Sequence, residues 1–285
     1  MTRLTLRHYI LVALSVFVLF LPGRAAMPPL DRDEPRYMEA TAQMLHSGNY
    51  VDVRFLDQPR YLQPAGIYWL EAVAVRLTGM EGTHAVWPYR IPSLLAVTAA
   101  TVLTAWIGAT LFGPACGLLA AALLAVSVLM TAEGRMATID TTLLLCVLLV
   151  QCGLLRAYLD RERDRATPLA AAVLYWTALG CGLMLKGPVV LVPGFGTPLA
   201  LALVERRTDW WYRLRRHGAG CSCWGSWCHG ASPLASSATG ISSHARSGII
   251  FWARWQAGRK HMACRRGIIW RFSPSRSGRD RCSRP

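Results

Sequence analysis

The apolar residues of this chain fall in long, nearly uninterrupted blocks, and that patterning limits the fold more than any motif does. Six blocks stand out, at residues 9–21, 91–112, 116–131, 141–159, 169–185 and 188–204. A backbone surrounded by lipid must satisfy its own hydrogen bonds, so runs of this length are expected to become helices that cross a bilayer. Composition agrees: 53% of the 285 residues are hydrophobic and 16% are charged, against about 25% charged in soluble domains. The expected fold is all-α and integral to the membrane, a multi-span helical bundle. Residues 1–217 form its N-terminal part, with about six spans.

The flanking charges set an orientation. Arg3 and Arg7 precede the first block, which reads as an uncleaved span rather than a signal peptide because further spans follow. Arg156, Arg161, Arg163 and Arg165 follow the fourth block, and Arg206, Arg207, Arg213, Arg215 and Arg216 follow the sixth. With the N-terminus in the cytoplasm, six passes put all three basic groups on the cytoplasmic side. The loop at 23–90 then lies on the outer face. It holds seven Arg and eight acids and two stretches of helical period. One begins at Asp33 and Pro35, repeats Met38, Ala42 and Leu45, and stops at Ser47-Gly48-Asn49. The other runs from Pro64 to Leu77, with Ile67, Leu70, Ala74 and Leu77 on one face, and ends at Gly79. Both are expected to be juxtamembrane helices on the bilayer surface. In the sixth block, Pro193, Gly194, Gly196 and Pro198 are expected to break or kink the helix.

The outer face gathers ionisable residues: Asp31, Asp33, Glu34, Arg36, Tyr37, Arg54, Asp57, Arg60 and Tyr61 in the first loop, Glu133, Arg135 and Asp140 between the third and fourth blocks, and Lys186 after the fifth. Charges at a membrane boundary are costly to keep, which makes function the default reading. Snorkelling to the interface is the alternative for Arg135 and Lys186.

Asp33-Glu34-Pro35-Arg36-Tyr37 resembles the D-E-x-R-Y signature of bacterial lipid A aminoarabinose transferases and the related protein O-mannosyltransferases. The similarity continues through Ser47-Gly48-Asn49-Tyr50, Gly66-Ile67-Tyr68-Trp69-Leu70, Arg90-Ile91-Pro92-Ser93, Ile139-Asp140 and Leu185-Lys186-Gly187-Pro188. The ordered blocks cover about residues 9 to 215. The resemblance implies a C-type glycosyltransferase architecture in the bacterial inner membrane with a periplasmic active site. It implies transfer of a sugar from a polyprenyl monophosphate donor to a lipid A-like or protein acceptor. An acceptor hydroxyl needs a base, for which Asp33 is the candidate, and Asp140 is the second catalytic candidate, able to orient the sugar or hold Arg135. The phosphate leaving group needs cations, for which Arg36, Arg54, Arg60 and Lys186 are candidates, while Glu34, Tyr37 and Tyr61 complete the substrate-binding set. No cofactor is required and no metal ligands are assigned, with a divalent cation left open. Gln63 departs from the family pattern, where many relatives carry Lys. The alternative is a non-catalytic transporter or assembly partner with the same charged face.

Residues 218–285 differ in character, with eleven Lys and Arg against one acid, five of the nine Cys, and no apolar block. Cys221, Cys223, Cys228 and His229 have irregular spacing for zinc. A basic tail of this kind also suits nucleic acid or anionic lipid, though nucleic acid is not the expected partner. One constant codon offset converts Gly258 to Trp270 into P-E-T-H-G-L-P-P-G-Y-Y-L, similar to a later outer-loop motif of the resembled family. The expectation is a frameshifted tail, irregular or disordered, on a chain inactive as written.

Overall fold

The computed structural model describes residues 4–29, 33–60, 63–162, 169–206 and Leu214; the tail at 218–285, and with it the expectation of a frameshift, lies outside them. The described chain is helical apart from one two-residue hairpin. Helix α1 spans Leu6–Phe20 and α2 Glu34–Ser47; strands β1 (Arg54–Phe55) and β2 (Gln58–Pro59) follow, then α3 (Gly66–Thr78) and α4 (Ile91–Phe112). The remainder is α5 (Pro114–Val126), α6 (Val128–Glu133), α7 (Asp140–Glu162), α8 (Leu169–Lys186) and α9 (Leu191–Glu205). Single 3-10 turns precede α4 and α9.

Local chemistry sets the boundaries. α2 has Pro35 in its first turn and closes on Gly48, whose φ of 67° lets its N–H reach the Met44 carbonyl at 3.0 Å. Gly79 ends α3 in the same left-handed conformation. The third apolar block is not one helix. Ser127 is extended and its Oγ accepts from the Met130 N–H at 3.4 Å, so it closes α5 and opens α6. Threonines on the apolar helices return their hydroxyls to the preceding turn: buried Thr101 Oγ1 donates to the Val97 carbonyl at 2.8 Å, and the partly buried Thr98, Thr104 and Thr177 do likewise.

Among the described residues three helical runs are long and apolar enough to cross a membrane: Trp87–Phe112, Asp140–Asp160 and Leu169–Glu205; α1 and α5 are shorter apolar helices. The third run has 37 residues and would measure roughly 55 Å if straight. It instead folds back at Gly187, whose φ is 72°. The Tyr175 hydroxyl on α8 donates to the Gly194 carbonyl on α9 at 2.9 Å, which only antiparallel arms allow. That bond also lets α9 run unbroken through Pro198, in a block where a break or kink is expected. Pro198 has no N–H for the carbonyl four residues back, which is Gly194, and Tyr175 supplies the missing donor.

Two other helix pairs pack through small residues. α4 and α5 meet at Gly108 and Gly117, where a Cβ on Gly108 would stand 2.9 Å from the Gly117 Cα. α7 and α8 are antiparallel neighbours: Gly153 abuts the Ala171 carbonyl and Tyr175. The beginning of α7 and the end of α8 therefore lie at one end of the bundle.

The two helices of the first loop bury faces that match those expected only in part. α2 buries Glu34, Tyr37, Ala40, Thr41, Met44 and Leu45. α3 buries Ile67, Tyr68, Glu71, Ala72, Ala74 and Val75 and exposes Leu70, Val73 and Leu77. The apolar period places Leu45, Ile67 and Ala74 correctly and misses the rest of each face, because the buried faces also contain polar side chains such as Thr41 and Glu71 that bond across to the other helix.

Candidate functional site

Four segments converge on one apolar cluster. Tyr37 and Ala40 come from α2, Ile67 and Tyr68 from α3, Ile139 from the turn before α7, and Leu185 from the end of α8. Ile139 and Leu185 are the immediate neighbours of Asp140 and Lys186. Packing of apolar residues thus gathers the elements that carry Asp33, Arg60, Asp140 and Lys186. α3 and α8 approach closely: Gly66 lies so near the Met184 carbonyl that a Cβ would stand 2.5 Å from its oxygen.

Asp33 sits immediately before α2, half-exposed, and makes no cap bond with its side chain. Its Oδ1 accepts from Arg36 Nη1 at 3.0 Å. Glu34, expected to bind substrate, is fully buried instead. Its Oε1 accepts from Arg90 Nε at 2.7 Å and from the Ala137 N–H at 2.9 Å. Arg90 Nη1 also donates to the carbonyls of Arg24 at 2.6 Å and Met27 at 2.9 Å. Arg24 in turn donates to the carbonyls of Arg90 and Gly134. Burial, then the nearby charges of Arg90 and Arg135, lower Arg24 to about 10, against the pull of Glu34. The network binds the start of α2 to the start of α4 and to the turn that carries Asp140. Glu34 is therefore a bracing residue in this structure, since its carboxylate is enclosed by donors of the protein itself.

Tyr37 and Arg60 form an arch over the cluster. The Tyr37 hydroxyl donates to Gln63 Oε1, and burial raises its pKa above the ordinary phenol value. Arg60 Nε donates to the Tyr68 hydroxyl at 2.8 Å, and its guanidinium lies 5.4 Å from the Tyr37 ring centroid and 5.9 Å from that of Phe55. The planar fork is thus held between aromatic faces, half-exposed. Gln63 places a neutral amide where the resembled pattern has a cation.

Asp140 opens α7 and its Oδ1 accepts from Lys186 Nζ at the end of α8. Both side chains are partly exposed, at 48% and 34%. Asp140 does not hold Arg135. Arg135 donates to the carbonyls of Leu19 at 2.9 Å and Thr131 at 3.0 Å and lies over the Phe20 ring, so it closes the C-terminal end of α1. Arg54 is exposed and paired with Asp52 at 3.1 Å. Tyr61 and Asp31 lie outside the described residues. Among the described residues no group of three His, Cys, Asp or Glu is arranged to hold a metal ion.

The family described as dolichyl-phosphate-mannose-protein mannosyltransferase matches residues 62–216, more than half of the chain. The chain belongs to that family.

Among relatives of this mannosyltransferase-family chain, the undecaprenyl phosphate-alpha-4-amino-4-deoxy-L-arabinose arabinosyl transferase of Pectobacterium atrosepticum is 29% identical over 212 residues, 72% of this chain and 36% of that protein. The protein of the same name from Edwardsiella ictaluri is 29% identical over 198 residues, 67% of this chain and 34% of that one. The chain spans about a third of the length of the curated relatives it matches. The crystal structure of ArnT from Cupriavidus metallidurans in the apo state shares the fold, with a TM-score of 0.67 at 22% identity over 84% of this chain and 44% of that chain. The structure of that ArnT bound to undecaprenyl phosphate gives 0.62 at 23% identity, over 82% and 41%. The family's architecture is therefore the multi-span helical membrane fold expected from the sequence.

Three residues of this family member escaped the sequence reading. Arg90 was legible only as the start of a span, though a charge directly before an apolar run is a signal in itself. Tyr68 and Glu71 sit inside an apolar helix, where a lone carboxyl is the conspicuous letter.

Proposed function

We propose that the chain forms part of a glycosyltransferase that moves a sugar from a polyprenyl monophosphate carrier to a lipid acceptor on the periplasmic face of a bacterial inner membrane. The observation that carries this reading is the convergence of Asp140–Lys186 with the Tyr37–Arg60 arch on one cluster beside Asp33. Membership of the family and the names of the relatives support it.

In this reading the acceptor hydroxyl oxygen attacks the anomeric carbon and the carbon–oxygen bond to the carrier phosphate breaks. Asp33 takes the hydroxyl proton. The lipid monophosphate departs with the bonding pair, and cations meet the charge that gathers on it. Arg60 offers a fork already fixed on aromatic faces, and Lys186 offers a point charge that Asp140 holds in place. Arg36 and Arg54 stand further out and help draw the anionic headgroup to the face. Arg36 also holds the Asp33 carboxylate in place.

The test is binding of undecaprenyl phosphate to the full chain in lipid nanodiscs, read by intrinsic tryptophan fluorescence. Saturable binding that Arg60→Ala and Lys186→Ala each weaken about 10- to 100-fold is expected, the range for a charge-assisted hydrogen bond to phosphate. Binding that neither substitution changes overturns the assignment.

A further inference from the structure

Glu71 stands in the middle of α3 with a side chain that is 0% exposed. Thr41 Oγ1, on α2, donates to its Oε2 at 2.7 Å. Its other oxygen, Oε1, has no hydrogen-bond partner among the described residues. No cation pairs with it among those residues either. The groups that face it are known from each element. α2 contributes Thr41 and the Glu34 carboxylate, whose cationic partner Arg90 is already committed. The turn before α4 contributes Tyr89, and α3 itself contributes Tyr68. The surroundings are therefore apolar, phenolic or negative.

A carboxylate enclosed in this way, with one hydrogen bond and a second carboxylate nearby, is far costlier than a neutral carboxylic acid. The position adds a consequence. Glu71 is one helical turn beyond Tyr68, and Thr41 is one turn beyond Tyr37. The Glu71–Thr41 bond and the Tyr37–Tyr68 ring contact, with centroids 5.8 Å apart, span the same α2–α3 interface. Arg60 is held at that interface by the Tyr68 hydroxyl.

We propose that Glu71 carries a proton in the folded protein and acts as a pH-responsive latch between α2 and α3, positioning Tyr37 and Arg60 while neutral and loosening the two helices when it ionises. This is independent of the transferase reading, because it concerns the folded chain alone.

Burial raises the Glu71 pKa from its ordinary 4.5 to about 8; the Thr41 hydrogen bond acts against the rise and Glu34 adds to it. An unfolded chain releases the proton near the ordinary value. The stability that neutral Glu71 confers is thus complete below about 4.5, is lost as pH climbs to about 8, and changes no further above that.

The experiment uses the full chain in lipid nanodiscs, as wild type and Glu71→Gln, which keeps the shape and the Thr41 bond without titrating. Melting temperature is followed from about pH 5 to about pH 9, together with the protonated-carboxyl C=O stretch in infrared difference spectra. The wild type should lose melting temperature relative to Glu71→Gln up to about pH 8 and then run parallel to it. The wild type should also show a carboxyl band near pH 6 that disappears through about pH 8 and that the variant lacks. Parallel melting curves throughout, or no such band, overturn the proposal. If Glu71→Gln does not fold, Thr41→Val decides. It removes the bond that favours the ionised form, so the band should persist to higher pH, and an unmoved band overturns the latch.

Discussion

Glu34 and Arg90 form an ion pair at 2.7 Å whose side chains are 0% and 1% exposed, and the same Glu34 oxygen accepts the Ala137 N–H. Breaking one partner leaves the other charge enclosed. Glu34→Ala or Arg90→Ala should each destabilise the chain by about 3–5 kcal/mol, while the double substitution to well-packed apolar residues should lose much less. Thermal unfolding of the three variants in one detergent measures this. A loss in the double variant equal to the sum of the two single losses would show that the pair is not coupled.

The Asp140–Lys186 pair should behave in the opposite way. Both side chains are partly exposed, so Asp140→Ala and Lys186→Ala should each change stability by less than about 1 kcal/mol. Their effect is expected on ligand affinity: Lys186→Ala weakens undecaprenyl phosphate binding, whereas Asp140→Asn leaves the lysine in place and weakens it less. A stability loss as large as that of Arg90→Ala would make the pair structural.

Gly66→Ala probes the contact between α3 and α8. The new methyl would stand 2.5 Å from the Met184 carbonyl oxygen, where only backbone movement can relieve it. A loss of about 1–3 kcal/mol is expected, with weaker donor binding because Arg60 is bonded to Tyr68 on α3 and Lys186 ends α8, the two helices that separate. Unchanged melting and binding would show that the two helices part freely.

Asp33→Asn separates binding from chemistry. It keeps the shape and a hydrogen-bond acceptor for Arg36 but removes the base. In a chain whose reading frame is restored after residue 218, undecaprenyl phosphate affinity should stay within about twofold while transfer falls about 10²- to 10⁴-fold. Transfer at the wild-type rate would remove Asp33 from the mechanism.

Tyr37→Phe removes the hydroxyl that meets Gln63. It should cost about 1 kcal/mol of stability. Gln63→Lys should place a cation beside the Tyr37 ring and tighten binding of the phosphate headgroup in a salt-sensitive way. Binding that is unaffected by the added charge would place the phosphate elsewhere.

The sequence disclosed the helices and their ends because those depend on local signals. Pro35, Gly48, Gly79 and the apolar runs act within a few residues of themselves. It also brought forward Asp140 and Lys186, as charges beside apolar runs, and Asp33, through the resembled motif. What it hid depends on distant partners. Glu34 reads like its neighbour Asp33 until Arg90, 56 positions away, and the Ala137 amide enclose it. Leu70 and Leu77 look like core and are exposed, because Glu71 and Tyr68 turn α3 toward Thr41 and Arg60. The same holds for Pro198, whose missing donor is replaced by Tyr175 from a neighbouring helix.

The bond from Glu34 to the Ala137 amide has an entropic side. Asp33 and Asp140 belong to segments far apart in the chain, and each alone would sample many positions against the other. One buried carboxylate, adjacent to the first and bonded three residues before the second, ties both to a common frame. Their mutual placement is settled when the chain folds. A ligand arriving at this face therefore finds two carboxylates whose relative freedom is already gone, and its own binding need not immobilise them.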